Sequence, residues 1–306
     1  MPELPEVETV VLGLRVSLVR RTIEDVRFGK TDFVDDPLLI SERVPGLQVS
    51  GVTRHGKFIC IELEPAPASE NCGGRQCLVV HLGMTGQLTL ADPSDPVKLH
   101  THVFFALDNG RELRYRDVRR FGRMLTLPYG ELADFKKLLG KEPLEISEEE
   151  FCRDIGARRT RLKALLLDQT VLCGVGNIYA DESLFRARLH PARTAEKLKK
   201  EQLLALRVAV REVLEEAIQS RGSSISDYLD SEGKSGTFQL QHRVYQRNGE
   251  PCLRCKSVIR RIIVAGRSTH FCPTCQPASR TRNAPRKKPC ARVKPRLHKS
   301  KRTESK

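Results

Sequence analysis

Residues 165–185 read LLLDQTVLCGVGNIYADESLF and carry two helical segments that flank a short apolar turn. The turn at 171–176 contains Gly174 and Gly176, and glycine permits the backbone conformations of a tight reversal. Asn177 then begins the second helix, where backbone N–H groups lack partners within the helix and can bind a phosphate. Asparagine is also a common N-cap, so the turn alone does not establish such a site. The stretch predicts a helix–two-turn–helix arrangement.

Residues 129–241 show helical periodicity on both sides of this turn. The predicted helices are 132–139, 147–155, 160–169, 177–186 and 200–220. Ser147 and Glu150 form a capping-box pattern at the start of one of them. Residues 221–241 are rich in serine and glycine and longer than an ordinary connector, which is typical of a lid over a site. We therefore predict a helical domain that ends in a capping loop.

Residues 1–128 have a different pattern. An apolar stripe predicts one helix at the start of the chain, carried by Val7, Val10, Val11, Leu14 and Leu18. The strands predicted after it are 57–63, 77–82, 87–90, 103–107 and 112–115, with a hairpin turn at Asp108-Asn109-Gly110. Residues 65–77 form an insertion between two strands. The fold class is α+β, with an N-terminal antiparallel β-sandwich and flanking helix ahead of the helical domain.

Four cysteines near the end of the chain have the spacing C-x2-C-x16-C-x2-C. They are Cys252, Cys255, Cys272 and Cys275, and this spacing suits a tetrahedral zinc site between two tight turns. Because all four positions are occupied by sulfur, no water can be activated there, and the predicted zinc is structural. Residues 242–278 are therefore predicted to form a β-hairpin zinc ribbon.

The positive charge is concentrated at the end of the chain. The formal net charge is +15, and residues 279–306 hold twelve lysines and arginines but one acid. Such a segment cannot bury a core, so we expect a disordered basic tail, which either tethers the protein to a polyanion such as DNA or only keeps it soluble. No apolar run reaches the roughly 18 residues of a membrane span, and the N-terminus is unlike a secretory signal. We expect a cytoplasmic protein.

The first residues carry a possible nucleophile. Removal of Met1 would leave Pro2 with a secondary amine, and an α-amino group titrates near about 8. The positive end of the following helix disfavours the ammonium form, and a neutral amine can attack a sugar C1′ to form an iminium. Glu3 could supply a proton to open the sugar ring. Proline and glutamate also commonly begin helices, so these residues alone do not establish catalysis.

Seven blocks of sequence together resemble the bacterial formamidopyrimidine-DNA glycosylases, in the order of that family. The blocks are MPELPEVETV (1–10), HGKFI (55–59), HLGMTG (81–86), DVRRFG (117–122), the stretch at 165–185, GTFQ (236–239) and CLRC…AGRSTHFCPTC (252–275). The resemblance implies a bifunctional DNA repair glycosylase and abasic-site lyase that excises oxidised purines from duplex DNA. It also implies that Pro2 is the nucleophile, that Glu3 is the general acid and base, and that Lys57 contacts the phosphate beside the lesion.

The resemblance further implies which residues bind DNA. Met84, Arg119 and Phe121 match the residues that fill the space left by the extruded base. The lid at 221–241 would cap that base, with Ser223 and the backbone at 226–227 as contacts. The remaining matched positions, for phosphate or lesion contacts, are His81, Lys163, Asn177, Tyr245, Arg261 and Arg267.

The resemblance leaves two rival functions to consider. An endonuclease VIII-type enzyme for oxidised pyrimidines shares most of these motifs, although Leu4 and the long lid favour the purine branch. A zinc-dependent damaged-DNA-binding protein with a decayed active site is the second rival, and intact Pro2, Glu3 and Lys57 weigh against it. The expected partner is duplex DNA with oxidised bases or abasic sites, bound by a monomer in the bacterial nucleoid.

Overall fold

The N-terminal part of the chain is a helix packed against two antiparallel sheets. The computed structural model describes residues 1–66, 74–224 and 235–278. Helix α1 (Leu4–Leu18) begins directly after Glu3, and the predicted stripe from Val7 to Leu18 is buried. Proline in the first turn suits a helix start, because its missing N–H would have had no helical partner.

Within the described residues, eight strands form the two sheets. They are β1 (Ile23–Phe28), β2 (Leu47–His55), β3 (Phe58–Pro65), β4 (Gln76–His81), β5 (Gly86–Ala91), β6 (Thr101–Leu107), β7 (Glu112–Asp117) and β8 (Arg123–Pro128). One sheet has the order β1-β6-β7-β5 and the other β2-β3-β4-β8, with antiparallel pairing throughout. The predicted sandwich is confirmed. The insertion connects β3 to β4, and residues 67–73 of it lie outside the described residues.

The five strands named from the sequence correspond to β3–β7, whereas β1, β2, β8 and the short helix α2 (Pro37–Arg43) were not identified. Strand β1 buries only Ile23 and Val26 fully, so its apolar pattern is too sparse to predict a strand. Helix α2 has seven residues and buries Ile40 alone, but Asp36 caps it by accepting from the Leu39 N–H.

The helical part contains five α-helices within the described residues. They are α3 (Leu132–Lys137), α4 (Glu148–Gly156), α5 (Leu162–Leu167), α6 (Asn177–Arg186) and α7 (Lys200–Gln219). The capping box of Ser147 and Glu150 is present, with both hydrogen bonds made. Helix α5 is shorter than predicted because Arg161 and Asp168 on either side of it are extended. None of the described helices has the length and apolarity that a membrane crossing requires.

The two parts share their packing at the start of α1. Leu4 belongs to the apolar core of the helical part, whereas Val7 and the residues after it belong to the core of the sandwich. The Leu4 N–H also donates to the Gly174 carbonyl at 3.0 Å. The first residues of the chain therefore lie between the sandwich and the two-turn segment.

A β-hairpin follows the helices, formed by β9 (Arg260–Val264) and β10 (Arg267–Phe271). Ala265 and Gly266 make its turn with φ of 50° and 70°. Two positive φ values match the right-handed twist of a two-residue hairpin, which places Arg267 opposite Val264. The hairpin packs against α6, and the predicted ribbon is confirmed.

Candidate active site between the sandwich, the helices and the ribbon

A cavity of about 560 Å³ lies where the sandwich, the helical part and the ribbon meet. All three contribute side chains to its wall, from positions far apart in the sequence. They include Pro2, Glu3, Glu6, Lys57 and Met84 from the sandwich, Asn177 and Ser223 from the helical part, and Tyr245 and Arg267 from the ribbon and the segment before it. The structure therefore brings most of the sequence-predicted residues to one opening.

Pro2 is buried at this cavity, and Met1 lies on its rim with 49% of its surface exposed. While Met1 is attached, the Pro2 nitrogen is part of an amide and cannot act as a nucleophile. Removal of Met1 would turn that nitrogen into a secondary amine facing the cavity. The adjacent hydrogen bond from Leu4 to Gly174 holds the backbone in place.

Glu3 is buried beside the first turn of α6. Its Oε1 accepts a hydrogen bond from the Ile178 N–H at 3.1 Å. Burial raises the pKa of Glu3 to about 7, although the positive charge of Lys57 opposes the shift. A carboxyl group with this pKa can hold or release a proton near neutral pH, as a general acid and base requires.

Gly176 makes the close approach of Glu3 to α6 possible. A Cβ at this position would lie 2.2 Å from Cδ of Glu3, which no ordinary contact allows. Gly176 is the N-cap of α6 and has extended backbone angles, so the requirement is for space rather than for a left-handed conformation.

Glu6 holds three groups together beneath the cavity. Its carboxylate accepts from the N–H of Glu3 at 2.8 Å, the hydroxyl of Tyr179 at 2.5 Å and the N–H of Ser223 at 2.6 Å. The sequence analysis did not predict these interior hydrogen bonds for Glu6 or Tyr179. A glutamate in a first helical turn needs no special function, and only the fold shows that both are interior.

Lys57 lies in the turn between β2 and β3 and is 7% exposed. Burial lowers its pKa, and the nearby charge of Glu3 acts in the opposite direction. An ion-pair cluster fixes the turn: Arg54 donates to Glu8 at 2.7 Å and to Glu142 at 2.7 Å. The N–H of Gly56 donates to the same Glu142 carboxylate.

His55, Glu142 and Cys173 have ligand atoms within 4.8 Å of one another. The Glu142 carboxylate, however, is already occupied by the Arg54 guanidinium and the Gly56 N–H. Because the guanidinium contacts the only carboxylate of this cluster, it repels a metal cation. The cluster instead connects the sandwich to the helical part.

His81 is neutral. Its Nδ1 accepts from the Gly83 N–H at 3.1 Å, and its ring packs on Phe58 with centroids 4.9 Å apart. Burial and the charges of Lys57 and Arg123 lower its pKa to about 4. A phosphate contact by His81 would therefore be a hydrogen bond from a neutral ring.

Met84, Arg119 and Phe121 lie on two adjoining turns. A Cβ on Gly83 would lie 2.4 Å from the carbonyl carbon of Phe121, which shows how closely the turns approach. The guanidinium of Arg119 is stacked over the Phe121 ring at 4.6 Å. Phe121 is 54% exposed, so an aromatic ring and a cation are presented together at the surface.

Asp117 organises the second of these turns. Its carboxylate accepts from the Gly122 N–H at 2.9 Å, the Arg119 N–H at 3.2 Å and the Thr85 hydroxyl. Thr85 follows Met84 directly, so one buried carboxylate fixes both turns relative to each other.

A second, polar cavity of about 530 Å³ adjoins the first. Asn177, Tyr245, Arg261 and Arg267 all line it, so the structure groups these four predicted phosphate contacts. Arg261 donates to the Ser268 hydroxyl at 2.6 Å, which aims its guanidinium along the hairpin. The buried Oδ1 of Asn177 has no hydrogen-bond partner among the described residues.

Lys163 lines neither cavity. It is fully buried, and its ammonium donates to Asp181 at 2.7 Å and to the Ser268 carbonyl at 2.7 Å. It therefore links α5, α6 and β10, which is a different environment from the lesion contact that the sequence analysis expected. The predicted backbone contacts at 226–227 lie outside the described residues, as does the tail at 279–306.

Two consecutive acids on α6 attach the ribbon to the helix, and no local sequence pattern predicts either contact. Asp181 accepts from the His270 N–H at 2.8 Å. Glu182 accepts from the N–H groups of Arg243, Val244 and Tyr245. Since α6 begins at Asn177, these bonds set the position of Arg267 relative to the helix N-terminus.

The four cysteines of the ribbon converge. Their sulfur atoms all lie within 4.8 Å of one another, with Cys252 and Cys275 4.0 Å apart and Cys255 and Cys272 3.4 Å apart. As thiolates they would hold one tetrahedral zinc ion, with no position left for water. The zinc is therefore structural.

Three family models match the chain in order. The N-terminal domain of formamidopyrimidine-DNA glycosylase matches residues 1–124, and the helix–two-turn–helix domain of the same family matches residues 139–228. A zinc finger found in this family and in isoleucyl-tRNA synthetases matches residues 249–278. The chain belongs to the formamidopyrimidine-DNA glycosylase family.

Individual relatives agree with this family assignment over nearly the whole chain. The formamidopyrimidine-DNA glycosylase of Solibacter usitatus is 50% identical, covering 90% of this chain and 99% of the relative. The Herpetosiphon aurantiacus glycosylase is 43% identical, covering 90% of this chain and all of the relative. The resemblance read from the seven blocks is confirmed.

Solved structures of the formamidopyrimidine-DNA glycosylase family share the fold. The Lactococcus lactis protein, bound to DNA that contains an abasic site, superposes with a TM-score of 0.82 at 33% identity. It is covered completely by 90% of this chain. The Thermus thermophilus protein has a TM-score of 0.78 at 41% identity, covering 90% of this chain and 98% of its own.

Proposed function

We propose that the chain is a bifunctional DNA glycosylase and abasic-site lyase that excises oxidised purines, chiefly 8-oxoguanine and formamidopyrimidines, from duplex DNA. One observation carries the proposal: Pro2, a Glu3 with a pKa near 7 and Lys57 line one cavity together with Asn177 and Arg267. The family supports the substrate class, because a Lactococcus relative was solved with DNA containing a formamidopyrimidine.

In the glycosylase step the Pro2 nitrogen attacks C1′ of the damaged nucleotide. The bond from C1′ to the base breaks, and the base leaves with the electron pair and takes up the proton that the Pro2 nitrogen loses. Protonated Glu3 gives its proton to the ring oxygen of the sugar, which opens the ring and leaves an iminium between Pro2 and C1′. The pKa of Glu3 near 7 allows this donation at neutral pH.

In the lyase step the iminium withdraws electrons from the sugar. The proton on C2′ becomes acidic, and its removal expels the 3′-phosphate by β-elimination. A second elimination expels the 5′-phosphate, and hydrolysis then frees Pro2. Lys57, Asn177 and Arg267 surround the cavity with hydrogen-bond donors that hold the phosphates in place.

The base must leave the duplex to reach Pro2, and the gap must be filled. Met84 would enter the stack from one turn. Phe121 would insert between base pairs from the other turn. Arg119, which is stacked on the Phe121 ring, would form hydrogen bonds with the unpaired opposite base. The exposure of Phe121 supports this role, because a large apolar side chain gains from a partner surface.

Borohydride trapping tests the proposal. The protein with Met1 removed, confirmed by mass analysis, should form a covalent adduct with an abasic-site duplex, because borohydride reduces the iminium. A matched control inserts a bulky residue between Met1 and Pro2, which blocks methionine removal, and should give no adduct. Absence of an adduct from the processed protein would refute the mechanism. Binding of the abasic duplex without strand scission would instead favour a decayed enzyme.

Oxidised pyrimidines are a second candidate substrate class. A Lactococcus relative was also solved with DNA containing an oxidised pyrimidine. Competition between 8-oxoguanine and thymine glycol duplexes separates the two classes. We expect kcat/KM to favour 8-oxoguanine, and a preference for thymine glycol would assign the protein to the other branch.

We further propose that the enzyme acts as a monomer on duplex DNA in the bacterial cytoplasm, associated with the nucleoid. The family and its bacterial members support the location. Light scattering of the free protein and of its complex with a single-lesion duplex should give one chain in both cases, and a mass of two chains would contradict the proposal.

A further inference from the structure

Ser223 is fixed at the cavity wall by three partners from other parts of the chain. Its N–H donates to Oε1 of Glu6 at 2.6 Å. Its hydroxyl oxygen lies 3.2 Å from Nε2 of His242 and 3.5 Å from the hydroxyl of Tyr179. The side chain is 5% exposed and lines the larger cavity.

The backbone at Ser223 approaches Glu6 because the preceding residue is glycine. A Cβ on Gly222 would lie 2.7 Å from Oε1 of Glu6, and its φ of 76° is one that side chains rarely adopt. The backbone contacts therefore fix the position of Ser223. The direction of its hydroxyl depends on the side chains around it.

His242 has a fixed orientation beside that hydroxyl. Its ring lies edge-on between Phe238, with centroids 5.6 Å apart, and Tyr245, with centroids 5.5 Å apart. The next residue, Arg243, is held by Glu182 through its N–H. His242 is 8% exposed, so neither its ring nor its backbone has freedom to turn away from Ser223.

A neutral imidazole nitrogen either donates or accepts a hydrogen bond, never both. Burial lowers the pKa of His242 to about 4, which keeps the ring neutral at working pH. Tyr179 uses its own proton on Glu6, so its oxygen can only accept from Ser223. If Nε2 accepts the Ser223 proton, the serine oxygen can only accept a hydrogen bond from a group in the cavity. If Nε2 donates to that oxygen, the serine proton is left for a group in the cavity or for the Tyr179 oxygen.

We infer that His242 is a positioning residue that orients the Ser223 hydroxyl toward the edge of the extruded base. The inference rests on the proposed function, and it makes His242 a determinant of lesion specificity. An abasic nucleotide presents no base to Ser223. His242 therefore contributes to base excision and not to cleavage of abasic sites.

The test compares four variants on two substrates. His242→Leu removes the hydrogen bond and keeps an apolar side chain, whereas His242→Gln offers an amide near the position of Nε2. We expect His242→Leu to lower kcat/KM on an 8-oxoguanine duplex about fivefold, the effect of one hydrogen bond, and to leave abasic-site cleavage within twofold. His242→Gln should restore most of the loss.

A double-mutant cycle with Ser223→Ala shows whether the effect passes through the serine. Once the hydroxyl is gone, His242→Leu should cost nothing further on 8-oxoguanine. Equal losses on both substrates, or losses that add in the double variant, would overturn the inference. Wild-type protein that forms no borohydride adduct with an abasic duplex would instead refute the proposed function. Thermal denaturation of each variant separates loss of fold from loss of specificity.

Discussion

Oε1 of Glu3 accepts a hydrogen bond of 3.1 Å from the N–H of Ile178, a residue 175 positions further along the chain. Ile178 lies in the first turn of α6, next to Asn177, which lines the polar cavity. The proposed acid and a proposed phosphate contact are therefore attached to the same helical turn. A displacement of this turn moves both groups relative to the sugar.

Gly176→Ala should disable the enzyme without unfolding it. The new Cβ would overlap Cδ of Glu3, so the carboxyl group must move by about an ångström or more. A misplacement of that size costs on the order of 100-fold in rate. Single-turnover cleavage of an 8-oxoguanine duplex measures the loss.

Gly130→Ala is the matched control, because a Cβ there would meet no atom within 4 Å. It should cleave at the wild-type rate. If Gly176→Ala were equally active, Glu3 would not depend on its contact with α6.

Glu3→Gln should change the pH dependence of stability. The pKa of Glu3 is about 7 in the folded protein, against 4.5 for a free glutamate side chain, so between these values the folded protein retains a proton that the unfolded chain loses. The free energy of unfolding therefore falls as pH rises from about 4.5 to 7, by about 3 kcal/mol from this group. Glutamine does not titrate, so the variant should lose less stability between pH 5 and pH 8.

Urea denaturation at the two pH values gives the comparison. Glu24→Gln, at an exposed position of β1, controls for the loss of a carboxylate. An unchanged pH dependence in Glu3→Gln would mean that Glu3 ionises normally in the folded enzyme.

Lys163→Met should lower the free energy of unfolding by about 3–5 kcal/mol, because it breaks a buried ion pair with Asp181. The double variant Lys163→Met, Asp181→Asn should recover part of this loss, because it removes the unpaired charge of Asp181 while the amide oxygen can still accept from the His270 N–H. Urea denaturation measures both. A loss of 8-oxoguanine excision at unchanged stability would instead support the lesion contact expected from the sequence.

Zinc removal should weaken DNA binding and leave the rest of the protein folded. The apolar core of the ribbon is small, consisting of Phe185, Val244, Cys252, Ile259 and Cys272, so the hairpin depends on the metal. Without zinc the hairpin no longer holds Arg267 at the cavity. The affinity for an abasic-analogue duplex should therefore fall about 10- to 100-fold.

Arg267→Ala in the zinc-loaded protein should reproduce most of this loss. Circular dichroism should show that the helices survive chelation, since they have their own core. Undiminished affinity after zinc removal would show that the ribbon does not hold the DNA.

The sequence predicted those parts of the molecule whose signals are local. Helix α6 spans 177–186 as expected, because the glycines before Asn177 mark its start. The cysteine spacing identified the ribbon, and the Asp108–Gly110 turn identified the hairpin of β6 and β7. Turn and cap chemistry depends on adjacent residues, and so it can be read from the sequence.

Within the candidate site, the missed features are contacts between distant residues. Ser223 and Glu6 are 217 positions apart, and Glu182 and Tyr245 are 63 apart. The residues next to an acid in a helix do not indicate whether its side chain is exposed or accepts hydrogen bonds from the backbone of another domain. Lys163 is the converse case. The family match predicted a lesion contact for this residue, but nothing in the sequence predicted that its side chain is buried.

The first residues of this chain lie in the interior, between the sandwich and the two-turn segment. If the reacting atom is the nitrogen of Pro2, that nitrogen must be the free N-terminus of the active enzyme. Fusion of another domain upstream, an N-terminal affinity tag, or circular permutation would each convert that nitrogen into an amide. Additions to such an enzyme can accumulate only at its loops or at its carboxyl end.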